Sequence, residues 1–283
     1  MYKLNRVETL TTGIKLFDVH APEIASKAKS GQFVMVRKDE TAERIPLTIA
    51  DYNVTTGSII LIVQEVGRST LELGLMKAGD FILDFVGPLG MPSHIKNFGT
   101  VVCIGGGLGV APVFPIARDL HKAGNRVLSI IGARNAEMLI WEKEMQAVSD
   151  ELFVTTDDGT KGEKGFVTQV LSRIIAKEKV DLVMAIGPMV MMRAACEVTR
   201  PTGIKTLVSL NPVMVDGTGM CGGCRVIVGK DIKFACVDGP EFDGHLVDWA
   251  AAITRSRMYA GEEKLALEAF HQHGSEDCKC LKK

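Results

Sequence analysis

Short apolar runs separated by turn-forming breaks occupy the first third of the chain. KLFDVHA, QFVMVRK, RIPLTIADY, SIILIVQEV and DFILDFVGP are rich in Val, Ile, Leu and Phe, and TTGS, KAGD and GPLGMP interrupt them. About five or six short strands with little helix between them predict a small antiparallel β-barrel over residues 1–96. From residue 97 the pattern alternates. The strand-like runs TVVCIGG, RVLSIIGAR, LFVTTDDG, VDLVMAIGP and IKTLVSLNP enclose PVFPIARDLHKAG, AEMLIWEKEMQAV, FVTQVLSRIIAKEK and MVMMRAACEVTRP, which carry helical spacing. This predicts a doubly wound α/β domain over 97–210, a parallel sheet with helices on both faces. After Asn211 the alternation stops. Gly, Cys, Asp and Pro dominate to about residue 245, predicting a small module shaped by ligands more than by a core. Helical spacing returns from Leu246 to about His273, and the polar tail SEDCKCLKK is expected to fray.

Composition narrows the partners. Apolar residues make up 46% and charged residues 24%, the balance of a soluble globular protein, and a net charge of −1 gives no basic field for nucleic acid or an anionic membrane. The start, MYKLNRVETLTTG, has no apolar core of a secretory signal. The long uncharged run Val101–Ala117 is broken by glycines and prolines, so it reads as strand, loop and helix start instead of a membrane span. Seven cysteines without scaffold spacing point to a reducing compartment, the cytoplasm, where clustered cysteines bind metal or do redox chemistry.

Six stretches bearing glycines, hydroxyls or charges hold candidate nucleotide chemistry. IGGGLGVAP, Ile104–Pro112, follows a strand and opens a helix, so its N–H groups can approach a pyrophosphate; its spacing is not G-x-G-x-x-G, and a tight connection is the alternative. GAR (132–134), TTDDG (155–159) and GPM (187–189) follow strand-like runs and are expected to fall on the same sheet edge. Asp157 or Asp158 could accept from ribose hydroxyls and repel a 2′-phosphate, whereas Arg134 could pair with that phosphate; ordinary loop charges are the alternative for each. In the first segment RIPLT (44–48) and GRST (67–70) place cations and hydroxyls beside strands, patterns that hold phosphate or simply lie on the surface.

The stretch MVDGTGMCGGCRV, with Cys236 beyond it, reads D-x4-C-x2-C-x11-C through Asp216, Cys221, Cys224 and Cys236. Plant-type 2Fe–2S spacing is C-x4-C-x2-C with a distant fourth cysteine, so Asp216 stands where the first would be, and a carboxylate keeps the ligand charge. Three alternatives stay open. Zinc could be held by the three thiols and His245, Cys221 and Cys224 could form a redox dithiol, or Asp216 could be a turn residue beside a cluster completed by another group. Cys103 and Cys196 read as core residues, and Cys278 and Cys280 as incidental.

The order of these elements, R-x-P-L-T, G-x-x-T, GPLG, GGGLGVAP and GPM, resembles the ferredoxin–NADP reductase superfamily over residues 1 to about 210. The resemblance implies FAD with Arg44, Pro46, Leu47, Thr48 and Val63 along the flavin and Gly67, Arg68, Ser69 and Thr70 at its pyrophosphate. It implies NAD(H) bordered by Gly105, Gly106, Gly107, Gly109, Ala111, Gly187, Pro188 and Met189, with Arg134, Asp157 and Asp158 nearby. With its C-terminal cysteines the whole chain resembles flavoproteins bearing a 2Fe–2S module, such as dihydroorotate dehydrogenase electron-transfer subunits, which have four cysteines at this spacing. The aspartate variant and CVDGPEFDGH are similar to the small-subunit family of NADH-dependent reduced ferredoxin:NADP⁺ oxidoreductases, also described as sulfide dehydrogenase subunits. That resemblance implies hydride exchange between NAD(H) and FAD and single electrons through a 2Fe–2S cluster on Asp216, Cys221, Cys224 and Cys236. It also implies a larger partner with its own FAD and 4Fe–4S centres, reducing NADP⁺ and ferredoxin by electron bifurcation, with no acid–base side chain. A dihydroorotate dehydrogenase, hydrogenase or sulfide dehydrogenase partner, or a non-redox zinc and nucleotide regulator, are the rival functions.

Overall fold

The computed structural model describes residues 1–273; the tail with Cys278 and Cys280 lies outside them. The first segment holds eight strands, β1 (Tyr2–Thr11), β2 (Ile14–His20), β3 (Phe33–Arg37), β4 (Ile45–Thr48), β5 (Asp51–Asn53), β6 (Ser58–Gln64), β7 (Phe81–Ile82) and β8 (Asp84–Leu89), with short helices α1 (Pro22–Ala25) and α2 (Arg68–Gly74). They form two antiparallel sheets, β5-β6-β2-β1-β7 and β4-β3-β8. The expected run RIPLTIADY splits at Ile49–Ala50 into β4 and β5, and DFILDFVGP splits at Leu83 into β7 and β8, because each run passes from one sheet to the other at a barrel corner. YKLNRVETLT is an additional strand. Only Leu4 of it is buried, so it lacks the apolar alternation by which strands are recognised.

The unbroken apolar run of β6 has a packing cause. Ile59, Leu61 and Val63 fill the barrel core with Phe17, Val34 and Phe85, while Ile62 points outward into the core of the next domain with Val110, Ala111 and Phe114. A strand buried on both faces needs apolar residues at successive positions. Each such side chain contributes roughly 1.5–3 kcal/mol on burial.

The second sheet is built from β9 (Thr100–Gly106), β10 (Arg126–Ala133), β11 (Glu151–Thr156), β12 (Glu163–Lys164), β13 (Leu182–Ile186) and β14 (Thr206–Ser209), all parallel, in the order β12-β11-β10-β9-β13-β14. Helices α3 (Val110–Lys122) and α4 (Glu142–Ala147) cover one face, and α5 (Val167–Lys177) and α6 (Met189–Thr199) the other. The helix expected over AEMLIWEKEMQAV is interrupted. A 3-10 turn at Ala136–Met138 precedes an apolar step, and Trp141 takes φ 54°, with its ring edge-on to Phe114 at 5.0 Å. Packing of Ile140 and Trp141 against α3 overrides local helix propensity.

The last segment adds the hairpin β15 (Arg225–Val228) and β16 (Asp231–Phe234), the strand β17 (Glu241–Asp243), and helices α7 (Trp249–Arg255) and α8 (Ala260–His273). It is not a module without a core. Met214, Cys224, Val226, Cys236, Phe242 and Trp249 join one cluster with Val102 and Ile104 of β9 and Phe33 and Met35 of β3. β17 pairs antiparallel with β14 and becomes the seventh strand of the central sheet. α8 lies against α2 of the barrel.

Polar contacts stitch the segments. Arg118 on α3 pairs with Asp51 on β5 and covers the Tyr52 ring at 5.5 Å. Met91 N–H donates to the Gly239 carbonyl at 2.6 Å, and Ser93 Oγ donates to the Glu241 carboxyl. The Glu241 residue keeps some exposed surface, but its carboxyl is so enclosed that a Cβ on Gly31 would stand 2.8 Å from Oε1. Burial pushes this carboxyl up to about 7, against the opposing hydrogen bond from Ser93. A raised carboxyl retains in the folded chain a proton that the unfolded chain releases at 4.5, so stability present below that pH is lost as pH rises towards 7. Thermal unfolding of Glu241→Gln is therefore expected to gain on the wild type at pH 8 relative to pH 5; an equal difference at both pH values would contradict this.

Candidate functional site

The glycine turn lies where the sheet order reverses. From β9 the chain runs to β10 on one side and β13 lies on the other, the switch point at which doubly wound sheets bind ligands. Most of its glycines serve close packing of the chain on itself. A Cβ at Gly109 would lie 2.1 Å from the Ile186 carbonyl oxygen, one at Gly106 2.3 Å from Met191 Sδ, and one at Gly187 2.9 Å from the Gly106 carbonyl oxygen. The turn after β9 and the turn Gly187–Pro188–Met189 after β13 are thus in contact, as predicted for one edge. Gly107 differs. It takes φ 55° and nothing stands within 4 Å of where its Cβ would be, so its backbone faces open space. Ala111 is buried in α3.

Arg134, Asp157 and Asp158 share this edge. Asp157 N–H donates to the Ala133 carbonyl at 3.1 Å and Asp158 N–H to the Arg134 carbonyl at 3.2 Å. The Asp158 carboxylate accepts from the backbone and hydroxyl of Thr160 at 2.9 and 2.7 Å, which hold its pKa below the usual range. It belongs to its own turn. Asp157 is exposed and Arg134 pairs with no carboxylate among the described residues.

In the barrel, RIPLT and GRST come together. Pro46, Leu47 and Thr48 on β4 pair with Met35, Val34 and Phe33, and Arg44 precedes them with Nη2 3.2 Å from Asp84. Asp84 also takes Arg37 Nε at 2.7 Å, and these hydrogen bonds, Arg37's first, hold its carboxyl below the usual range. Ser69 Oγ donates to Glu43 at 2.8 Å, tying the start of α2 to the residue before Arg44. Thr70 Oγ1 accepts from the N–H groups of Val66 and Gly67, both at 3.0 Å, and so shapes the turn into α2. Arg68 Nε meets Glu72 at 2.8 Å. Gly67 has no side chain to cap the first turn of α2, whose N–H groups therefore suit an anion. Val63 is buried in the barrel core.

Asp216, Cys221 and Cys224 lie on one loop, and Cys236, beyond the β15–β16 hairpin, returns to Cys224. Asp216 accepts from Thr218 N–H at 3.0 Å, Met220 N–H at 3.0 Å and Cys221 N–H at 2.8 Å, and these backbone donors, led by Thr218, hold its carboxyl below the usual range. Cys221 is exposed, and its Sγ accepts from Gly223 N–H at 3.4 Å. Cys224 and Cys236 are buried with their sulfurs 3.3 Å apart, well beyond a disulfide bond. Among the described residues no three His, Cys, Asp or Glu side chains surround one point as a single-ion site does. The donors fall into two pairs, Asp216 with Cys221 and Cys224 with Cys236. Such a set fits a two-iron cluster, in which each iron takes two protein ligands, better than one tetrahedral zinc. His245 is held elsewhere, its Nε2 2.8 Å from Thr199 Oγ1. Cys103 and Cys196 are buried in the central sheet and α6, where burial pushes each thiol up to about 12.

Two features were not visible in the sequence. Arg255 Nη2 donates to the Gly223 carbonyl inside the C-x2-C turn at 3.0 Å, although 31 positions separate Arg255 from Cys224. Met35 supports the same loop, because a Cβ at Gly217 would lie 2.7 Å from Met35 Cγ.

An antiparallel barrel, a doubly wound sheet with its glycine turn at the switch point and a loop of paired anionic donors define a ferredoxin–NADP reductase-type oxidoreductase with an iron–sulfur segment. Residues 103–197 match the family of oxidoreductase NAD-binding domains, and residues 211–248 match the iron–sulfur cluster binding domain of dihydroorotate dehydrogenase B. The chain is 48% identical over 254 residues, 90% of each chain, to a dihydroorotate dehydrogenase B (NAD(+)) electron transfer subunit homolog of Thermotoga maritima. It is 44% identical over 99% of each chain to an uncharacterized Clostridium beijerinckii protein. A solved structure of the NADH-dependent reduced ferredoxin-NADP oxidoreductase, a study of flavin-based electron bifurcation, superposes with TM-score 0.91 at 45% identity over 95% of this chain and 98% of that one. The Neisseria gonorrhoeae ferredoxin NADP+ reductase shares the fold, with TM-score 0.60 at 16% identity over 71% of this chain and 90% of that one. The chain belongs to the family of dihydroorotate dehydrogenase B electron transfer subunits and their homologues.

The two kinds of glycine give different costs. Gly109→Ala is expected to destabilise by about 1–3 kcal/mol or more through overlap with the Ile186 carbonyl, and Gly107→Ala by about 1 kcal/mol from its left-handed backbone alone. Urea unfolding checks the ranking.

Proposed function

We propose that this chain is the small electron-transfer subunit of an electron-bifurcating NADH-dependent ferredoxin:NADP⁺ oxidoreductase. One observation carries the reading. The donor loop sits on the barrel strand adjacent to the flavin motif, since Gly217, the neighbour of Asp216, packs on Met35, and Met35 pairs with Pro46. When bound, FAD exchanges hydride with NAD(H) and single electrons with a 2Fe–2S cluster, which links a two-electron carrier to a one-electron carrier.

The residues of the chain hold and orient. Arg44, Pro46, Leu47 and Thr48 would lie along the flavin over a barrel wall that includes Val63, and Gly67, Arg68, Ser69 and Thr70 at the start of α2 would receive its pyrophosphate. Gly105, Gly106, Gly107, Gly109 and Ala111, with Gly187, Pro188 and Met189, would border NAD(H), and the open space at Gly107 would leave its backbone free to meet the nucleotide. Asp157 would accept from the ribose hydroxyls and disfavour a 2′-phosphate, with Arg134 and Asp158 flanking it. Asp216, Cys221, Cys224 and Cys236 would hold the cluster. No side chain need transfer a proton, because rate comes from position.

The partner would be a larger subunit with its own FAD and 4Fe–4S centres, which meets ferredoxin and NADP⁺. Exposed Val215, Met220 and Val237 frame the cluster loop with an apolar rim suited to a protein partner. The identity to the Thermotoga relative favours, as second reading, a dihydroorotate dehydrogenase-type partner. Among the described residues no helix is long and apolar enough to cross a membrane, and a thiolate-held cluster beside two buried free thiols, Cys103 and Cys196, suits a reducing cytoplasm.

The purified chain is expected to show flavin and iron–sulfur absorption and about two irons per chain; a colourless, iron-free protein refutes the reading. Asp216→Ala is expected to alter the paramagnetic signal of the dithionite-reduced protein while FAD is retained, and an unchanged signal would remove Asp216 from the ligand set. Gel filtration after coexpression with each candidate large subunit separates the two readings by co-elution.

A further inference from the structure

The C-x2-C turn is gripped from behind by a cation. Asp248 caps α7 by accepting from Ala251 N–H at 2.9 Å, and buried Trp249 anchors the helix through Nε1 to the Gly244 carbonyl at 3.0 Å. The helix ends at Arg255, whose Nη2 donates to the Gly223 carbonyl at 3.0 Å, between Cys221 and Cys224. Arg255 forms no ion pair with any carboxylate among the described residues, and its Nε is buried without a hydrogen-bond partner. Leaving that donor unpaired costs about 1–3 kcal/mol, and a native chain that tolerates it has a reason to keep a guanidinium there. Arg225 lines the same cavity of about 190 Å³, together with Val226, Ile227, Ile232, Ala251 and Ala252, and no carboxylate lines it.

We propose that Arg255 is a positioning residue for the iron–sulfur loop whose uncompensated charge favours the reduced cluster. This rests on the assignment of Asp216, Cys221, Cys224 and Cys236 as the ligands. Four anionic donors outweigh the charge of two ferric ions and two sulfides, so the site is negative when oxidised and one unit more negative after it takes one electron. No bond is made or broken. A fixed cation behind the turn stabilises the more negative state more strongly, and low local polarity strengthens the effect.

Reductive titration of the purified full-length protein, followed by its paramagnetic signal, tests this. Arg255→Gln is expected to move the midpoint to more negative potential, about tenfold in the reduced-to-oxidised ratio or about 59 mV for a one-electron couple. Arg255→Lys, which retains the charge, is expected to stay close to the wild type. Ile232→Glu places a carboxylate in the same cavity without deleting a contact of the loop and is expected to shift the midpoint in the same direction as Arg255→Gln. If Arg255→Gln loses its iron, Ile232→Glu decides. Iron-loaded variants with the wild-type midpoint overturn this inference alone, whereas a wild type without iron overturns the ligand assignment and this inference with it.

Discussion

The architecture depends on one apolar core that crosses every boundary suggested by the sequence. Phe33 and Met35 from the barrel, Val102 and Ile104 from the parallel sheet and Met214, Cys224 and Cys236 from the last segment lie in a single cluster. Two of those residues, Cys224 and Cys236, are cysteines of the D-x4-C-x2-C-x11-C motif, so the same burial that stabilises the chain fixes where their thiols stand. Interiors pack at crystal density and transmit strain, so a displacement of β3 is felt at the loop. The placement of these thiols is therefore a product of core packing, not of a flexible appendage.

At the nucleotide edge the chain solves a steric problem before a chemical one. The turns after β9 and β13 cross so closely that Gly106, Gly109 and Gly187 have no room for a side chain. That crossing brings two strand ends side by side and leaves Gly107 as the backbone facing outward. In the barrel the hydrogen bond from Ser69 to Glu43 performs the same task, drawing α2 to the approach of β4. Both candidate cofactor surfaces are assembled by contacts within the chain.

Much of this was legible in the sequence, for identifiable reasons. The alternation of strands and helices from residue 97 carries strong periodicity, and α5 and α6 fall where it predicts. The D-x4-C-x2-C-x11-C spacing marks the segment that matches an iron–sulfur binding domain, because ligand spacing is local. Strand β1 escaped notice because an edge-like strand with one buried side chain, Leu4, has no pattern. The break at Trp141 was hidden because it arises from packing against Phe114. The local turns that hold the Asp158 carboxylate on Thr160 and the Asp216 carboxylate on Thr218, Met220 and Cys221 are likewise absent from any spacing pattern. The contacts of Arg255 with Gly223 and of Glu241 with Ser93 are distant in sequence, and no local pattern encodes them.

β17 has a further meaning. It follows the donor loop yet pairs with β14, which precedes it, and Leu210 N–H donates to the Pro240 carbonyl at 2.9 Å across the base. The metal-binding stretch is thus an excursion drawn out between two adjacent ribbons of one sheet and laced shut at its neck. A unit anchored this way needs an open edge on its host sheet, because without β14 its neck has nothing to close on.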